Sequence, residues 1–521
     1  MTFERRTWWI GRILAVLLIL VSLMTAYWQL WRGRALDPLA LNPSAAAREY
    51  ARMRGDPTPA VSGEAASLVQ LPQPVIQRTV QLLSTIQRGK IYDRDGNVLA
   101  EDRGTPGDFT RVYLDQSLAH TIGYASALRT GIMGLESTYN RQLLGLDRPD
   151  TQIDRMLRRP ITGSSLVLTI DSQVQQAAVQ GLAGRPGAIV ALDGQTGAVL
   201  AMVSEPTFDP NRINNSEYAA SLQNTTIMIN RATQALYTPG SVFKTVTLIA
   251  ALDSRNVNPR TIFDFGEPQR NAEGRIFYTY EVDGGLIYDQ NHPENQLTLE
   301  RSFVASANVA FAKMAHDMPA DTFIDYAARM GFSTQDYARR FPLELPVAAP
   351  QLANNVEDIR NNDLLRAHTG YGQGELLVTP INMAIVTQAV LNNGTVNVPY
   401  LVEEIRGPQD EIIDRKPNDH TVRGIMSADT AAFVRQSMIE MNKAYYGENF
   451  LPGVVSGGKT GTAQLGGDAA PHAWYIGFAE REGRSVIVAI VVENAGAGSS
   501  TGAPIFQQIA NAYFQQTPAQ P

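Results

Sequence analysis

The 521-residue chain contains no cysteine and only six histidines. The absence of cysteine excludes disulfides, zinc–thiolate sites, iron–sulfur clusters, thiol nucleophiles and a lipid anchor on a cysteine. The histidines lie far apart in the sequence and none forms an H-E-x-x-H or similar pair, so we predict neither a metal site nor a cofactor. They are His120, His292, His316, His368, His420 and His472.

The chain also lacks an excess of positive charge, because 44 Lys and Arg stand against 51 Asp and Glu, for a net charge of −7 at pH 7. This balance argues against a nucleic-acid-binding protein, which must neutralise many phosphates. With 44% hydrophobic and 18% charged residues, the chain is neither disordered nor collagen-like. At roughly 150 residues per domain, its length predicts about three structural units.

Only one apolar run is long enough to span a membrane. Between residues 8 and 31 the single charge is Arg12, and residues 13–28 are uncharged. Aromatic residues flank the run as interfacial anchors would, and arginines on both sides weakly favour an N-terminus inside. A cleaved signal peptide is the alternative, but residues 24–27 fit a cleavage site poorly. We therefore predict a cytoplasmic tail at 1–7, a retained anchor at 8–31 and the rest on one side of the membrane.

The segment after the anchor, residues 32–163, predicts a small β-containing unit. Its residues 56–77 carry four prolines, which predict an extended linker. Residues 88–100 follow the pattern of a strand, an Asp-Gly turn and a second strand.

Residues 164–521 predict an α+β domain with a central antiparallel sheet packed by helices. Residues 166–170 alternate as a strand does, and Ser172 can cap a helix that begins near Gln173. Hairpins are expected at 188–203 and 474–492, and a closing helix at 505–514. Because strands stand at both ends of a mostly helical region, we expect the sequence extremes to form one sheet.

Lysine is scarce enough for each copy to be tested for a serine three residues upstream. Of the six lysines (90, 244, 313, 416, 443 and 459), two meet this test. Ser241-Val242-Phe243-Lys244 follows a Pro-Gly turn and runs into an apolar helix. Ser456-Gly457-Gly458-Lys459 contains two glycines, which disfavour a helix and fit an extended strand. Only the first pair is therefore predicted to share a helical turn.

This spacing has a chemical consequence, because residues i and i+3 lie on one face of a helix. The lysine amine then reaches the serine hydroxyl, and the helix N-terminus favours developing negative charge. A lysine buried there loses its proton more readily than one in water and can serve as a general base. The alternative is an N-cap serine followed by an ordinary lysine, which is common.

Two further motifs support the catalytic interpretation. Ser306-Ala307-Asn308 lies in an apolar, helix-prone stretch, where its polar groups need partners. Lys459-Thr460-Gly461-Thr462 is predicted as a strand whose glycine lets a substrate backbone approach closely. Each motif alone has an ordinary structural explanation. Together, in the order S-x-x-K, S-x-N, K-T-G, the three motifs strongly support the catalytic interpretation.

At these residues the chain resembles the penicillin-binding protein and serine β-lactamase superfamily, whose signature is this triplet. The resemblance also includes residues 88–100 and 134–139, which are similar to the small pedestal of class B, the monofunctional penicillin-binding proteins. It implies a D,D-transpeptidase that cross-links peptidoglycan stem peptides through a serine acyl-enzyme and is acylated by β-lactams.

The resemblance also assigns roles to individual residues. It implies that Ser241 is the nucleophile, Lys244 its base and Ser306 a proton relay. Asn308 would hold the substrate amide, and Lys459 would tune the electrostatics. Thr460, Gly461 and Thr462 would bind the substrate strand and its terminal carboxylate, with the backbone N–H groups of Ser241 and Thr462 as the oxyanion hole. His472, Trp474, Gly372 and Gln373 are interpreted as framework.

The family further implies a single-pass protein of the bacterial plasma membrane, with its catalytic domain outside the cytoplasm. Since no glycosyltransferase domain precedes the transpeptidase, a SEDS-family glycan polymerase is the expected partner. Two other interpretations stay open: a β-lactam-hydrolysing or β-lactam-sensing acyl-enzyme, and a non-catalytic scaffold of the cell-wall machinery. The first needs a group that activates water, and the intact triplet speaks against the second.

Overall fold

The structure is a computed structural model that describes residues 85–515, apart from 127–130, 149–156, 158, 335, 416–419 and 466–468. The predicted tail, the anchor at 8–31 and the linker at 56–77 lie outside the described residues. Within the described part of the chain, no helix has the length and apolar character that a bilayer span requires.

The N-terminal part is built from short elements. Its strands are β1 Ile86–Gln87, β2 Ile91–Tyr92, β3 Val98–Arg103, β4 Thr110–Tyr113, β5 Tyr124–Ser126, β6 Gly131–Met133, β7 Ile161–Thr162 and β8 Ser165–Leu168. Its helices are α1 Ala119–Ile122, α2 Gly134–Thr138 and α3 Asn140–Leu143, with a 3₁₀ turn at Gln116–Leu118.

The larger C-terminal part is mixed α and β. Its strands are β9 Gly187–Asp193, β10 Val199–Glu205, β11 Ile262–Asp264, β12 Gln269–Arg270, β13 Ile276–Val282, β14 Gly285–Asp289, β15 Gln296–Thr298, β16 Val396–Asn397, β17 Val402–Arg406, β18 Ile412–Arg415, β19 Thr421–Val422, β20 Val455–Ala463, β21 His472–Arg481 and β22 Arg484–Val492. Its helices are α4 Ser172–Leu182, α5 Ser216–Leu222, α6 Lys244–Asp253, α7 Leu299–Val304, α8 Asn308–Asp317, α9 Ala320–Arg329, α10 Tyr337–Arg340, α11 Val356–Asn361, α12 Asp363–Gly370, α13 Pro380–Leu391, α14 Ala428–Tyr446 and α15 Gly498–Gln515. The 3₁₀ turns lie at Pro210–Arg212 and Gly240–Phe243.

The central sheet has the strand order β10-β9-β22-β21-β20, and all of its neighbours are antiparallel. Both hairpins expected from the sequence are present, and they pair through β9 and β22, which confirms a sheet built from the sequence extremes. Helices α4 and α15 cover one face of the sheet, and α13 lies on the other face. Because both faces are covered, β9 and β22 are apolar along almost their whole length.

Two boundaries differ slightly from the expectation. The carboxylate of Asp171, and not the Ser172 hydroxyl, caps helix α4 by accepting from the N–H groups of Gln173 and Val174. The closing helix α15 begins at Gly498, several residues before the predicted start at 505. Gly498 lies against the sheet, since a Cβ there would come within 2.0 Å of the Trp474 carbonyl oxygen.

A second sheet joins the two parts of the chain. Its order is β18-β17-β8-β2-β3-β4, and β8 pairs in parallel with β2 and antiparallel with β17. The predicted domain boundary between residues 163 and 164 therefore falls just before β8. This strand hydrogen-bonds both to β2 in the N-terminal part and to β17 in the C-terminal part. The N-terminal part is thus anchored to the C-terminal part by main-chain hydrogen bonds.

A buried ion cluster holds the N-terminal part together. The Glu136 carboxylate, which is fully buried, lies 2.5 Å from Arg88 Nε and 2.7 Å from Arg111 Nε. Arg111 also pairs with Asp102 at 3.3 Å, and Tyr113 donates to Glu136. Burial raises the pKa of Glu136, but the charges of Arg111 and Arg88 outweigh burial and lower it below its usual value. The carboxylate therefore remains ionised and compensates two buried guanidinium groups.

We expect Glu136→Gln to lower the free energy of unfolding by about 3–5 kcal/mol, because the buried Arg88 loses its ion-pair partner and the buried Arg111 keeps only Asp102. Thermal or denaturant unfolding of the full-length protein measures this loss. Asp336→Asn is the matched control, since it removes an ion pair between exposed side chains, Arg339 with Asp336, and should cost less than about 1 kcal/mol. Equal losses of unfolding free energy in the two variants would contradict the stabilising role of the buried Glu136 ion pairs.

Candidate active site

The nucleophile turn, defined here as Gly240–Phe243, is a 3₁₀ turn that runs directly into helix α6. Side chains at i and i+3 eclipse in a 3₁₀ turn, so Ser241 and Lys244 lie side by side. The prediction that they share one turn is confirmed, although the turn is 3₁₀ and not α. The apolar residues after Lys244 are buried, which fixes the turn against the core.

Two glycines allow this turn to form. Gly240 has a φ of +56°, which a residue with a Cβ rarely adopts, and its N–H donates to the Gly372 carbonyl oxygen at 3.0 Å. A Cβ on Gly372 would lie 1.8 Å from the Gly240 carbonyl oxygen. Trp474 donates from Nε1 to the Thr238 carbonyl oxygen at 3.1 Å and holds the approach to the turn. Gly372 and Trp474 are therefore framework residues, as predicted.

Lys244 is fully buried and stands at the centre of the site. Its Nζ lies 3.0 Å from Ser241 Oγ, 2.6 Å from the Ser306 carbonyl oxygen, 3.0 Å from Ser306 Oγ and 2.8 Å from Asn308 Oδ1. The Ser306 carbonyl and Asn308 Oδ1 only accept hydrogen bonds. When the amine is neutral, its two N–H bonds satisfy these two acceptors and its lone pair is left for a hydroxyl. The geometry therefore prepares Lys244 to accept the Ser241 proton.

Burial lowers the pKa of Lys244 to about 7, because a charged amine in the interior loses its hydration. The negative charge of Asp289 opposes this shift. A base with a pKa near the working pH combines a useful neutral fraction with enough basicity to take a proton.

The Ser306–Asn308 loop differs from the sequence expectation. Ser306 and Ala307 lie in the break between α7 and α8, Asn308 is the first residue of α8, and Ser306 has a φ of +58°. The left-handed residue turns the chain so that Ser306 Oγ, the Ser306 carbonyl and Asn308 Oδ1 all face one amine. Helix propensity was overridden here by tertiary hydrogen bonds to Lys244 and by the bond from Asn308 Nδ2 to the Tyr288 carbonyl oxygen.

Lys459 reaches the same serine from the edge strand β20 of the central sheet. It is fully buried, and its Nζ lies 3.0 Å from Ser306 Oγ. Burial and the neighbouring charge of Lys244 lower the pKa of Lys459 well below its usual value. Ser306 Oγ thus bridges two buried amines, each at 3.0 Å. The hydroxyl donates its single proton to one amine, and its oxygen accepts a hydrogen bond from the other.

The rest of the K-T-G-T strand borders the nucleophile turn. A Cβ on Gly461 would lie 2.9 Å from the Pro239 carbonyl oxygen, so glycine allows the strand to contact the turn. On the other side of this contact, a Cβ on Gly240 would lie 2.7 Å from the Thr462 carbonyl oxygen. Thr460 is half-buried and Thr462 is exposed, so their hydroxyls are open to a ligand along the strand.

Sequence reasoning missed a third side of the site, formed by the end of β14 and the residues after it. Asn291 Nδ2 donates to the Ser306 carbonyl oxygen at 2.7 Å, and the Asp289 carboxylate accepts from the Val309 N–H at 3.0 Å. No motif marks these residues, because their role depends on a strand pairing that brings them beside the S-x-N loop.

Among the predicted framework residues, His472 lies in the strand next to β20 and accepts from the Asn494 N–H.

The arrangement fits nucleophilic acyl transfer. A serine hydroxyl, a buried amine of lowered pKa, a second hydroxyl and a second buried amine form one hydrogen-bonded chain. Asn308 joins this chain through its contact with Lys244, so the structure brings together all five residues predicted as catalytic. Among the described residues, no group of three or more Asp, Glu or His side chains is arranged to hold a metal ion.

Comparisons with known proteins agree with this geometry. The family described as penicillin binding protein transpeptidase domain matches residues 187–511, and the one described as penicillin binding protein A dimerisation domain matches residues 88–165. The chain is 31% identical over 446 residues to the peptidoglycan D,D-transpeptidase PbpA of Mycolicibacterium smegmatis, which covers 80% of this chain and 87% of that protein.

A solved structure is similar over the same region. It is penicillin-binding protein A from Mycobacterium tuberculosis as a ceftriaxone acyl-enzyme complex, with a TM-score of 0.73, 29% identity and coverage of 82% of this chain and 98% of that one. The match to the transpeptidase family spans more than half of the chain and includes all three motifs of the site. The chain therefore belongs to the penicillin-binding protein transpeptidase family.

Proposed function

We propose that this protein is a serine D,D-transpeptidase that cross-links peptidoglycan stem peptides through an acyl-enzyme on Ser241, and that β-lactams acylate the same residue. The observation that carries the proposal is the 3.0 Å contact between Ser241 Oγ and the buried Lys244 amine. The similarity to PbpA of M. smegmatis and to an acyl-enzyme structure supports the reaction and the inhibitor class.

In the acylation step, Ser241 Oγ attacks the carbonyl carbon of the penultimate D-alanine and Lys244 takes the hydroxyl proton. The peptide bond to the last D-alanine then breaks, and its nitrogen receives a proton. Ser306 is the relay for this proton, because its hydroxyl contacts both Lys244 and Lys459. The products are the Ser241 ester and free D-alanine.

The developing oxyanion requires donors beside Ser241. We assign them to the backbone N–H groups of Ser241 and Thr462, as in the family, and the close approach of Gly240 to the Thr462 backbone supports this pairing. Losing one such donor typically costs about 10²–10³ in rate. The hydroxyls of Thr460 and Thr462 are assigned to the terminal carboxylate of the donor peptide, and the Asn308 side chain to the substrate amide.

In the second step, an acceptor amine attacks the ester carbonyl, and the Ser241 oxygen leaves with a proton. The acceptor gives up one proton along the Ser306 relay, so that the serine and both lysines return to their starting state. The nucleophile in this step is an amine from a second stem peptide, which makes the overall reaction a transfer.

Hydrolysis is less well supported, because a hydrolase must activate water at the acyl-enzyme. Asp289, the carboxylate whose charge acts on Lys244, already accepts from the N–H groups of Val309 and Asn291 and is fully buried. A non-catalytic scaffold is disfavoured by the complete hydrogen-bonded chain of the site.

The remaining assignments follow from sequence and family. We propose a membrane anchor at residues 8–31, a pedestal at 32–163 and the transpeptidase domain at 164–521. The protein would stand on the outer side of the bacterial plasma membrane and act with a SEDS-family glycan polymerase. The main-chain pairing of β8 with β2 and β17 supports a pedestal rigidly attached to the catalytic part. Co-purification of the full-length protein with the polymerase tests the partnership.

Ser241→Ala should abolish covalent labelling by a fluorescent penicillin, because it removes the attacking oxygen. Gel fluorescence and peptide mapping of the adduct provide the measurement, and an unchanged melting temperature shows that the variant is folded. Ser456→Ala, at the serine three residues before Lys459, is the matched control and should retain labelling. Labelling that survives in Ser241→Ala would remove Ser241 from its role.

The rate of acylation should rise with pH through a midpoint near 7 and level off above it. Burial lowers the pKa of Lys244 to about 7, and only the neutral amine accepts the Ser241 proton, so activity is lost as the pH falls below this value. Stopped-time labelling between pH 5.5 and pH 8.5 measures the profile. A rate that is flat across this range would contradict Lys244 as the base.

The penicilloyl adduct should persist far longer than the time needed to form it. This outcome is expected because Asp289, the carboxylate whose charge acts on Lys244, is buried and already accepts two N–H hydrogen bonds, so it is not free to activate water. Chasing labelled protein with unlabelled penicillin and following the loss of fluorescence measures the lifetime. Turnover within seconds would instead identify a β-lactam hydrolase.

A further inference from the structure

The segment Tyr288–Asn291 forms a wall behind the Ser306–Asn308 loop. The Tyr288 carbonyl accepts from Asn308 Nδ2 at 3.0 Å, and Asn291 Nδ2 donates to the Ser306 carbonyl at 2.7 Å. Asp289 lies between them and accepts from the Val309 N–H at 3.0 Å. These three contacts therefore hold the loop whose Ser306 carbonyl and Asn308 side chain contact Lys244.

Asp289 is fully buried, and both of its oxygens are engaged. One accepts from the Asn291 N–H at 3.2 Å and the other from Val309, at the N-terminus of helix α8, where a negative charge is stabilised. Among the described residues, Lys459, His292 and Tyr278 are the other ionisable groups that face this carboxylate or Lys244. His292 Nε2 is 3.6 Å from Asp289 Oδ2, and its Nδ1 contacts the Glu294 carbonyl at 2.8 Å.

We propose that Asp289 is a positioning residue of the acylation reaction, which holds the Ser306–Asn308 loop against Lys244 and supplies the buried negative charge of the site. This inference rests on the proposed function. It assigns a role to a residue outside the three motifs, whose hydrogen bonds go to the N–H groups of Asn291 and Val309 and not to Ser241.

The positioning role follows from the strain in the loop. A non-glycine residue in the left-handed region costs on the order of 1–3 kcal/mol unless its surroundings stabilise it. Ser306 is in that region, and hydrogen bonds to Asn291, the Tyr288 carbonyl and Asp289 hold Ser306 itself and the residues Asn308 and Val309 that follow it. Without these hydrogen bonds, the Ser306 carbonyl and Asn308 Oδ1, the two acceptors that orient the Lys244 lone pair toward Ser241, would lose their fixed position.

The electrostatic role follows from the balance of buried charge. Two buried amines, Lys244 and Lys459, share Ser306 Oγ, and each disfavours the charged form of the other. The Asp289 charge opposes the effect of burial on Lys244 and so keeps its pKa from falling further. Lys244 therefore remains basic enough to take a proton from a hydroxyl.

Asp289→Asn tests the electrostatic role, because the amide keeps the size and an acceptor for Val309 but removes the charge. We expect the midpoint of the acylation pH profile to move down by about one pH unit relative to wild type. The measurement is the rate of fluorescent-penicillin labelling of the full-length protein at each pH. A midpoint that stays in place or moves up would overturn the proposal.

Asn291→Ala is the matched control for the loop contact, since it removes one hydrogen bond to Ser306 without changing charge. It should lower the plateau rate roughly two- to tenfold and leave the midpoint unchanged. If the plateau rate stays at the wild-type value, the loop-holding role is wrong. A midpoint shift equal to that of Asp289→Asn would show that the charge is not the cause.

Two further variants keep the test decisive. Asp289→Glu retains the charge on a longer side chain, so it should lower the acylation rate but keep the wild-type midpoint of the pH profile. This variant keeps the proposal testable if Asp289→Asn does not fold. A shifted midpoint in Asp289→Glu would overturn the electrostatic role. His292→Phe preserves the ring that stacks on Tyr278 and should leave the midpoint in place. If the acid limb disappears in this variant, His292 is the titrating group and the proposal is wrong.

The wild-type profile separates this inference from the proposed function. If the wild-type protein is not labelled at any pH, the proposed function itself fails. If it is labelled with a midpoint near 7 and Asp289→Asn has the same midpoint, the proposed function stands and only the role of Asp289 is rejected.

Discussion

The structure depends on the burial of one amine, that of Lys244. A primary amine removed from water must satisfy its hydrogen bonds within the protein, and a charge there is costly. The site meets this constraint with two fixed acceptors, the Ser306 carbonyl and Asn308 Oδ1, and two hydroxyls. The same contacts that make the buried amine tolerable also direct its lone pair at Ser241, so stability and reactivity have one cause.

The surrounding fold brings three separate parts of the chain to this amine. The apolar helix α6 presents Lys244 from the core, and the edge strand β20 brings Lys459 from the central sheet. The break between α7 and α8 places Ser306 between the two lysines. Close backbone contacts at Gly240, Gly372 and Gly461 allow the nucleophile turn to touch both its neighbours. Side chains larger than glycine at these positions would separate the strand and the turn.

Local patterns in the sequence predicted the parts of the fold whose partners are close in the chain. The hairpins β9–β10 and β21–β22 were expected because turn residues stand between two apolar runs, and the structure contains both. The sheet that joins β8 to β2 and β17 was not predicted, because its partners lie about 75 and more than 200 residues away and no local pattern records such pairing. The stretch around Ser306 was expected to be helix-prone, and its left-handed turn was missed for the same reason. Its conformation is set by contacts with Lys244 and Tyr288, which are distant in the chain.

The sequence by itself determined which groups carry the chemistry, because a serine three residues before a lysine on an apolar helix shares a turn with it wherever that helix lies. It also determined the order of the three motifs and the glycines that allow close approach. Only the tertiary structure decided how these groups act together. Burial lowers the pKa of Lys244, the left-handed Ser306 joins the two lysines, and Asp289 and Asn291 form a wall that no motif marks. These properties arise from the loss of water and from contacts between distant segments, which spacing along a chain does not encode.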